Sequence, residues 1–279
     1  SFEPGSEWVY FKNYCSAGFS DKILIEAIKP VLDLLLKEKV VSRAFFIRYT
    51  DPYYHIRLRF RLREDRRKEG FARALDLVYH NLQPFSEAGI IWDIQLDTYR
   101  PGIERYGPAS IAESETAFFH DSRLFLRCLE HEGFAGNDET RFLTAIKNLD
   151  KWLSVYRLDR KEKLHFCKAM VESFSKEFAP EFKFRIDLKY REFSEVIPGF
   201  LASSVFDREF EERETNLLNL SLPRKNLSSY IHMSMNRWFV TEQRLLEYTV
   251  YIFAVKYYKQ IFYYHSKLPD SLQSDENKS

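Results

Sequence analysis

The chain has 279 residues, enough for one large or two small domains, and 45% of them are hydrophobic, with Phe, Tyr and Trp alone making up 16%. Forty-two Lys and Arg against forty-one Asp and Glu leave a net charge of +1, which argues against a general nucleic-acid surface or a polybasic membrane anchor. Three widely separated cysteines, Cys15, Cys128 and Cys167, form neither a disulfide framework nor a zinc pattern, so a reducing cytoplasm is the expected location. No apolar run approaches the roughly 18–20 residues of a membrane span.

An irregular lead-in over residues 1–6 precedes Glu7–Lys12, whose aromatic and β-branched content reads as a strand. Ser20 or Asp21 is expected to cap a helix running to about Val40, kinked at Pro30. The next stretch, RAFFIRYTDPYYHIRLRFRLR from Arg43 to Arg63, organises the chain. Ala44–Tyr49 reads as a strand, residues 50–53 as a turn, and His55–Leu62 as a second strand with strict alternation. His55, Arg57, Arg59 and Arg61 fall on one face, Ile56, Leu58, Phe60 and Leu62 on the other. Side chains on one such face recur every 6–7 Å or so. The charged face reads either as the solvated side of a sheet or as an anion-binding floor.

Glu64–Gln83 follows as an amphipathic helix, with Phe71, Leu75, Val78, Tyr79 and Leu82 as its buried stripe and Pro84 as its end. Ile90–Tyr99 alternates again, with Trp92, Ile94 and Leu96 on one face. A turn, RPGIERYG at 100–107, leads to a helical stretch over Ala112–Glu130. There His120, Asp121 and Ser122 are consecutive, diverge by about 100° each on a helix, and therefore make no catalytic triad. A capping or core-edge hydrogen-bonding role suits Asp121 or Ser122.

From 137 to 178 the pattern is helical. His165 and Cys167, two apart, face away from each other, and no metal site is expected. Residues 179–223 read as a helical insert with an exposed connection, and 228–264 as helices joined near Thr241. His232 and Asn236, four apart, share a helix face, where the amide can orient the imidazole toward a substrate. The expected fold is α+β: a mixed or antiparallel sheet in the N-terminal half packed against helices, with a mostly helical C-terminal half. A single domain is expected over 1–268 and a polar tail over 269–279. No Gly-rich phosphate loop, HExxH or CxxC occurs, and no cofactor is expected.

Five segments taken in order, PGSEWVYFK, FFIRYTDPYYHIRLRF, DTYRPGIERYG, ESETAFFHDS and HMSMNRWF with its following helix, resemble the C-terminal glutamate-elimination domain of class I lanthipeptide dehydratases. The same domain occurs free-standing in thiopeptide-type bacteriocin pathways. The resemblance implies β-elimination of glutamate from glutamylated Ser or Thr of a ribosomally made precursor peptide, leaving dehydroalanine or dehydrobutyrine. It also implies a separate tRNA-dependent glutamylation protein, or that this chain is a piece of a longer one, and no direct nucleic-acid binding. On the matching positions, Arg57, Arg59 and Arg105 would hold glutamate carboxylates, with His55 and Asn236 beside them. His232 would transfer the proton, and Arg59, Arg105 and His232 form the catalytic set. The family usually carries a glutamate three residues before the position of Arg105, where this chain has Gly102. Relatives of this fold also perform a formal [4+2] cycloaddition on dehydroamino acids, and a non-catalytic precursor-binding subunit is the third alternative.

Overall fold

The computed structural model describes residues 1–265, so the expected tail over 269–279 lies outside the described residues. Four strands, β1 (Trp8–Cys15), β2 (Val41–Tyr49), β3 (His55–Leu62) and β4 (Ile91–Asp97), form one antiparallel sheet in the order β2-β3-β1-β4. The helices are α1 (Ser20–Ile23), α2 (Lys29–Lys37), α3 (Arg67–Glu87), α4 (Ile103–Tyr106), α5 (Ile111–Glu130), α6 (Asp138–Val155), α7 (Arg160–Ser175), α8 (Pro180–Phe193), α9 (Val196–Ala202), α10 (Asp207–Leu218), α11 (Leu227–Trp238) and α12 (Gln243–His265). The class is α+β, as the sequence indicates. None of the described helices is long and apolar enough to cross a membrane.

The described residues group into two compact units. The first comprises Ser1–Asp138 with Phe206–Gln243 and contains the whole sheet; the second comprises Glu139–Val205 and, among the described residues, 244–265. In the second, Phe174 stacks on Tyr248 at 5.9 Å, and Phe142 meets Phe253 edge-on at 5.1 Å. Lys163 pairs with Asp150 at 2.8 Å, and the Tyr258 hydroxyl donates to the same carboxylate at 2.6 Å.

In the first unit, pairing of Val9 with Phe60, Phe11 with Leu58 and Asn13 with Ile56 aligns one apolar face of the sheet. The apolar sides of α2 and α3 cover it. The helical run ahead of α2 differs from the expected single helix. A π-helical turn over Leu24–Ile28 separates α1 from α2 and takes up the disruption around Pro30, which sits in the first turn of α2, where a missing N–H is tolerated. The helix ends at Lys37 rather than near Val40.

Pro84 does not end α3, which continues to Glu87. Burial of Phe85 and the Ile90 N–H bond to the Phe85 carbonyl, 2.9 Å, hold that last turn. The buried stripe of α3 runs through Gly70, Ala74, Leu77, Val78 and Leu82, which rotates Tyr79 outward. At the sheet edge, the register shift between Tyr14 and Cys15 makes Trp92 the extra residue of a bulge, and it stands 53% exposed. Trp92 thus drops out of the expected alternation, while Ile94 and Leu96 are half-buried.

The other sheet edge is closed by side chains. The Phe46 N–H donates to Ser122 Oγ at 3.3 Å. The Asn236 amide mimics a strand partner for Arg48, accepting its N–H and donating to its carbonyl, both at 2.8 Å. Asp121, between them in the core, accepts from Arg213 at 2.9 Å, Arg237 at 3.1 Å and Ser234 at 2.9 Å, and all three groups of this ion cluster are buried. It is a core hydrogen-bonder and not a cap. Asp121→Ala leaves two guanidiniums buried without their carboxylate, and urea denaturation is expected to show a loss of about 3–5 kcal/mol.

His120, one residue earlier, lies in a crevice with Arg123, Arg127, Glu209, Glu212 and Asn216. Burial, with Arg123 adding and Glu212 opposing, lowers its pKa to about 4. Between about pH 6.5 and 4 the unfolded chain takes up a proton here that the native state refuses, so stability falls as pH falls. Urea midpoints of wild type and His120→Leu at pH 7 and pH 5 test this. The variant is expected to lose less stability on acidification than the wild type does.

Candidate functional site

Opposite the helix-covered face, the sheet presents its charged face. Register places Arg57 beside Lys12 and Ile47, Arg59 beside Tyr10 and Phe45, and Arg61 beside Trp8 and Arg43. This face is largely covered: Arg59 is only 7% exposed and His55 is fully buried, while Arg57 and Arg61 are half-buried. The residues covering it come from far away in sequence, chiefly Tyr99 and the α5 residues Glu115 and Phe118, all three buried.

The partners of each cation separate those that hold the fold from those open to a ligand. Arg61 pairs with Glu7 at 3.0 Å, and Lys12 forms an ion pair with Asp97. Arg43 donates to the Ala112 carbonyl at 2.5 Å and to the Thr116 hydroxyl. Arg57 and Arg59 have no carboxylate in bonding contact among the described residues.

Arg57 donates through Nε to His55 Nε2 at 3.0 Å and lies 3.5 Å above the Tyr49 ring. Because Arg can only donate, His55 Nε2 accepts, so its proton resides on Nδ1, which lies 2.7 Å from the Tyr53 carbonyl. Burial lowers the His55 pKa against the pull of the Tyr53 carbonyl, with Arg57, Lys12 and Arg59 adding to the shift, which favours the neutral ring. His55 is thus an orienting group for Arg57.

Arg59 sits inside an aromatic box, its guanidinium carbon 4.5 Å from the Tyr10 ring centroid, 5.1 Å from Tyr99 and 5.3 Å from Phe45. Its buried Nε has no hydrogen-bond partner. Burial pushes its pKa down, Tyr99, Tyr10 and Glu115 oppose that, and the Arg57 charge adds to it. Glu115, at the back of the box, accepts the Tyr99 hydroxyl at 2.7 Å; burial raises its pKa against the pull of that bond and of Arg43, Arg61 and Arg59. The box therefore holds a buried cation with no carboxylate in bonding contact and only the Glu115 charge acting on it from a distance, a fit for a carboxylate ligand.

The remaining predicted residues lie on elements joined to this box by packed rings. Phe45 touches Phe118 at 5.4 Å, Phe118 touches Tyr106 at 5.2 Å, and Tyr106 stacks on Tyr230 at 5.5 Å. Arg105 is exposed on α4 directly before Tyr106, and His232 is half-buried on α11 two residues after Tyr230. Asn236 differs from expectation: its amide is bound to the Arg48 backbone and to Gln243 at 2.9 Å, so it fastens α11 to β2. Gly102 is exposed ahead of α4 with a φ of −75°, and a Cβ there would approach Tyr106 Cδ2 to 3.3 Å. All of these residues belong to the first compact unit. Tyr10, Tyr99 and Glu115 escape a reading of the sequence because only strand register and the docking of α5 bring them to Arg59. Among the described residues, no group of three or more His, Cys, Asp or Glu is placed to hold a metal ion.

The sequence profile described as "Lantibiotic biosynthesis dehydratase C-term" matches residues 8–258, and the chain belongs to that family. It is 26% identical over 181 residues to the subtilin biosynthesis protein SpaB of Bacillus subtilis, covering 64% of this chain and 17% of that protein. It is 25% identical over 265 residues to the nisin biosynthesis protein NisB of Lactococcus lactis subsp. lactis, covering 88% and 25%. The chain thus spans a quarter or less of the length of these relatives. Among solved structures, the tRNA-dependent lantibiotic dehydratase MibB from Microbispora matches with a TM-score of 0.66 at 22% identity, over 96% of this chain and 29% of that one. The pyridine synthase TbtD from thiomuracin biosynthesis matches with 0.62 at 13%, over 91% and 100%. At those identities the two structures speak to the fold alone.

Proposed function

We propose that this chain eliminates glutamate from glutamylated Ser or Thr of a ribosomally made precursor peptide in lanthipeptide or thiopeptide-type biosynthesis. The observation that carries the reading is the buried Arg59 guanidinium, boxed by three rings and without a bound carboxylate, beside Arg57, which is oriented by His55 and likewise has no carboxylate in contact. Membership of the lantibiotic dehydratase C-terminal family supports the reading. His232 takes the α-proton of the modified residue; its electrons form the Cα–Cβ double bond, the Cβ–O ester bond breaks, and glutamate departs with the bonding pair as a carboxylate. Arg59 and Arg57 bind that anion, with Arg105 closing over it from α4. Pre-placed cations lower the barrier because charge develops on the leaving carboxylate in the transition state. Glutamylation is the work of a separate tRNA-dependent protein or of another part of a longer chain.

Gly102 favours a second reading, a cyclase-like relative acting on dehydroamino acids, since the usual acid is absent there. The deciding experiment incubates the protein with a synthetic glutamylated precursor peptide and follows its mass. Glutamate loss with appearance of the dehydro residue is expected. Absence of any loss with cognate peptides, or ring formation from an already dehydrated peptide, overturns elimination.

A further inference from the structure

The Tyr106 hydroxyl is buried and has no hydrogen-bond partner, although everything else about this residue is fixed. Its ring is stacked on Tyr230, with Phe118 edge-on, and its carbonyl accepts the Asn226 amide at 3.3 Å. None of these contacts uses the hydroxyl, and a phenylalanine would make them equally well. A buried hydroxyl without a partner costs stability and calls for an explanation.

Its surroundings are cationic. The Arg105 guanidinium lies beside the oxygen without meeting hydrogen-bond geometry, and Arg237 is within electrostatic reach. Arg237 packs over Phe118, its guanidinium carbon 5.4 Å from the ring centroid, has its own Nη2 unpaired, and feels both the Tyr106 hydroxyl and Arg59. Three buried donors, Arg59 Nε, Arg237 Nη2 and Tyr106 Oη, thus lack partners around one aromatic cluster. Burial raises the hydroxyl pKa to about 12, so it keeps its proton at neutral pH and can donate.

We infer that the Tyr106 hydroxyl donates a hydrogen bond to the glutamate carboxylate held by Arg59, as an unassigned substrate-binding residue of this site. The inference rests on the glutamate reading above. Arg105 and Arg237 can only donate, so neither competes for the phenol proton, which is left for the anion. No proton is transferred; the hydroxyl only lowers the energy of the bound carboxylate.

Tyr106→Phe removes this one donor and retains the ring. A hydrogen bond to a charged group is worth about 10- to 100-fold in affinity. Calorimetric titration with L-glutamate is expected to show that loss, and elimination from the glutamylated peptide should slow, with a melting temperature at or above that of wild type. Tyr230→Phe is the control: its hydroxyl already bonds Ser114 Oγ at 2.8 Å, so its removal should lower the melting temperature and leave glutamate affinity intact. Wild-type affinity and rate in Tyr106→Phe overturn the inference while the functional reading stands. A fall in melting temperature for Tyr106→Phe also overturns it, since the hydroxyl would then be structural. If wild type neither binds glutamate nor releases it from peptide, the functional reading fails and the inference with it.

Discussion

Arg59→Met is expected to cut glutamate release sharply while leaving the protein at least as stable as wild type. Both effects come from the same fact. A guanidinium 7% exposed, with no carboxylate in contact, is held against its desolvation by three ring faces and the more distant Glu115 charge. Methionine fills the box without a charge to desolvate, and replacing buried ionic groups by apolar ones of similar volume is often neutral or stabilising. Losing the positive partner of a buried anion typically costs about 2–5 kcal/mol, or roughly 30- to several-thousand-fold in kcat/KM. Arg59→Lys retains charge but not the planar fork and should fall between the two. Denaturant midpoints and rates of glutamate release are the paired measurements. A variant that unfolds would show the arginine to be structural, and one that still eliminates at the wild-type rate would remove Arg59 from the site.

His232→Ala is expected to lower the rate of elimination by about 10²–10⁴ with little change in KM, the usual contribution of a positioned acid–base group. Its side chain is half-buried on α11, a helix that Tyr230, Ser234, Asn236 and Arg237 fasten to the fold. The fold should therefore survive the truncation, with stability within about 1 kcal/mol of wild type. Mass spectrometry should find glutamylated peptide accumulating when a glutamylating partner is supplied. Unchanged turnover would assign the proton transfer elsewhere. Comparison with Asn236→Ala is informative, because that variant unfastens α11 from β2 and should lose stability as well as activity.

The paired strands of the arginine segment and the α+β class were legible in the sequence because each rests on local periodicity. Alternation from His55 to Leu62 fixes which residues share a face, since successive side chains on a strand must point to opposite sides. The five ordered motifs were equally legible as a family signature, and the profile match over residues 8–258 agrees with them. Errors fell where local rules compete with packing: Pro84 inside α3, the turn before Pro30, and Trp92 at its bulge. At each, a neighbour elsewhere in the chain sets the outcome that propensity alone assigns differently.

Whether the arginine face meets water or protein was beyond the sequence, because alternation says nothing about what lies across from it. Only the tertiary structure brings Tyr99 and α5 over that face, gives Arg61 a carboxylate in Glu7, and leaves Arg57 and Arg59 without one. It likewise turns the Asn236 amide from the imidazole to the Arg48 backbone, and sets Tyr106 with an unpaired hydroxyl among cations. The sequence by itself determined which residues line up. Long-range packing decided which of them are desolvated and which still lack a partner, and that depends on contacts between segments many residues apart.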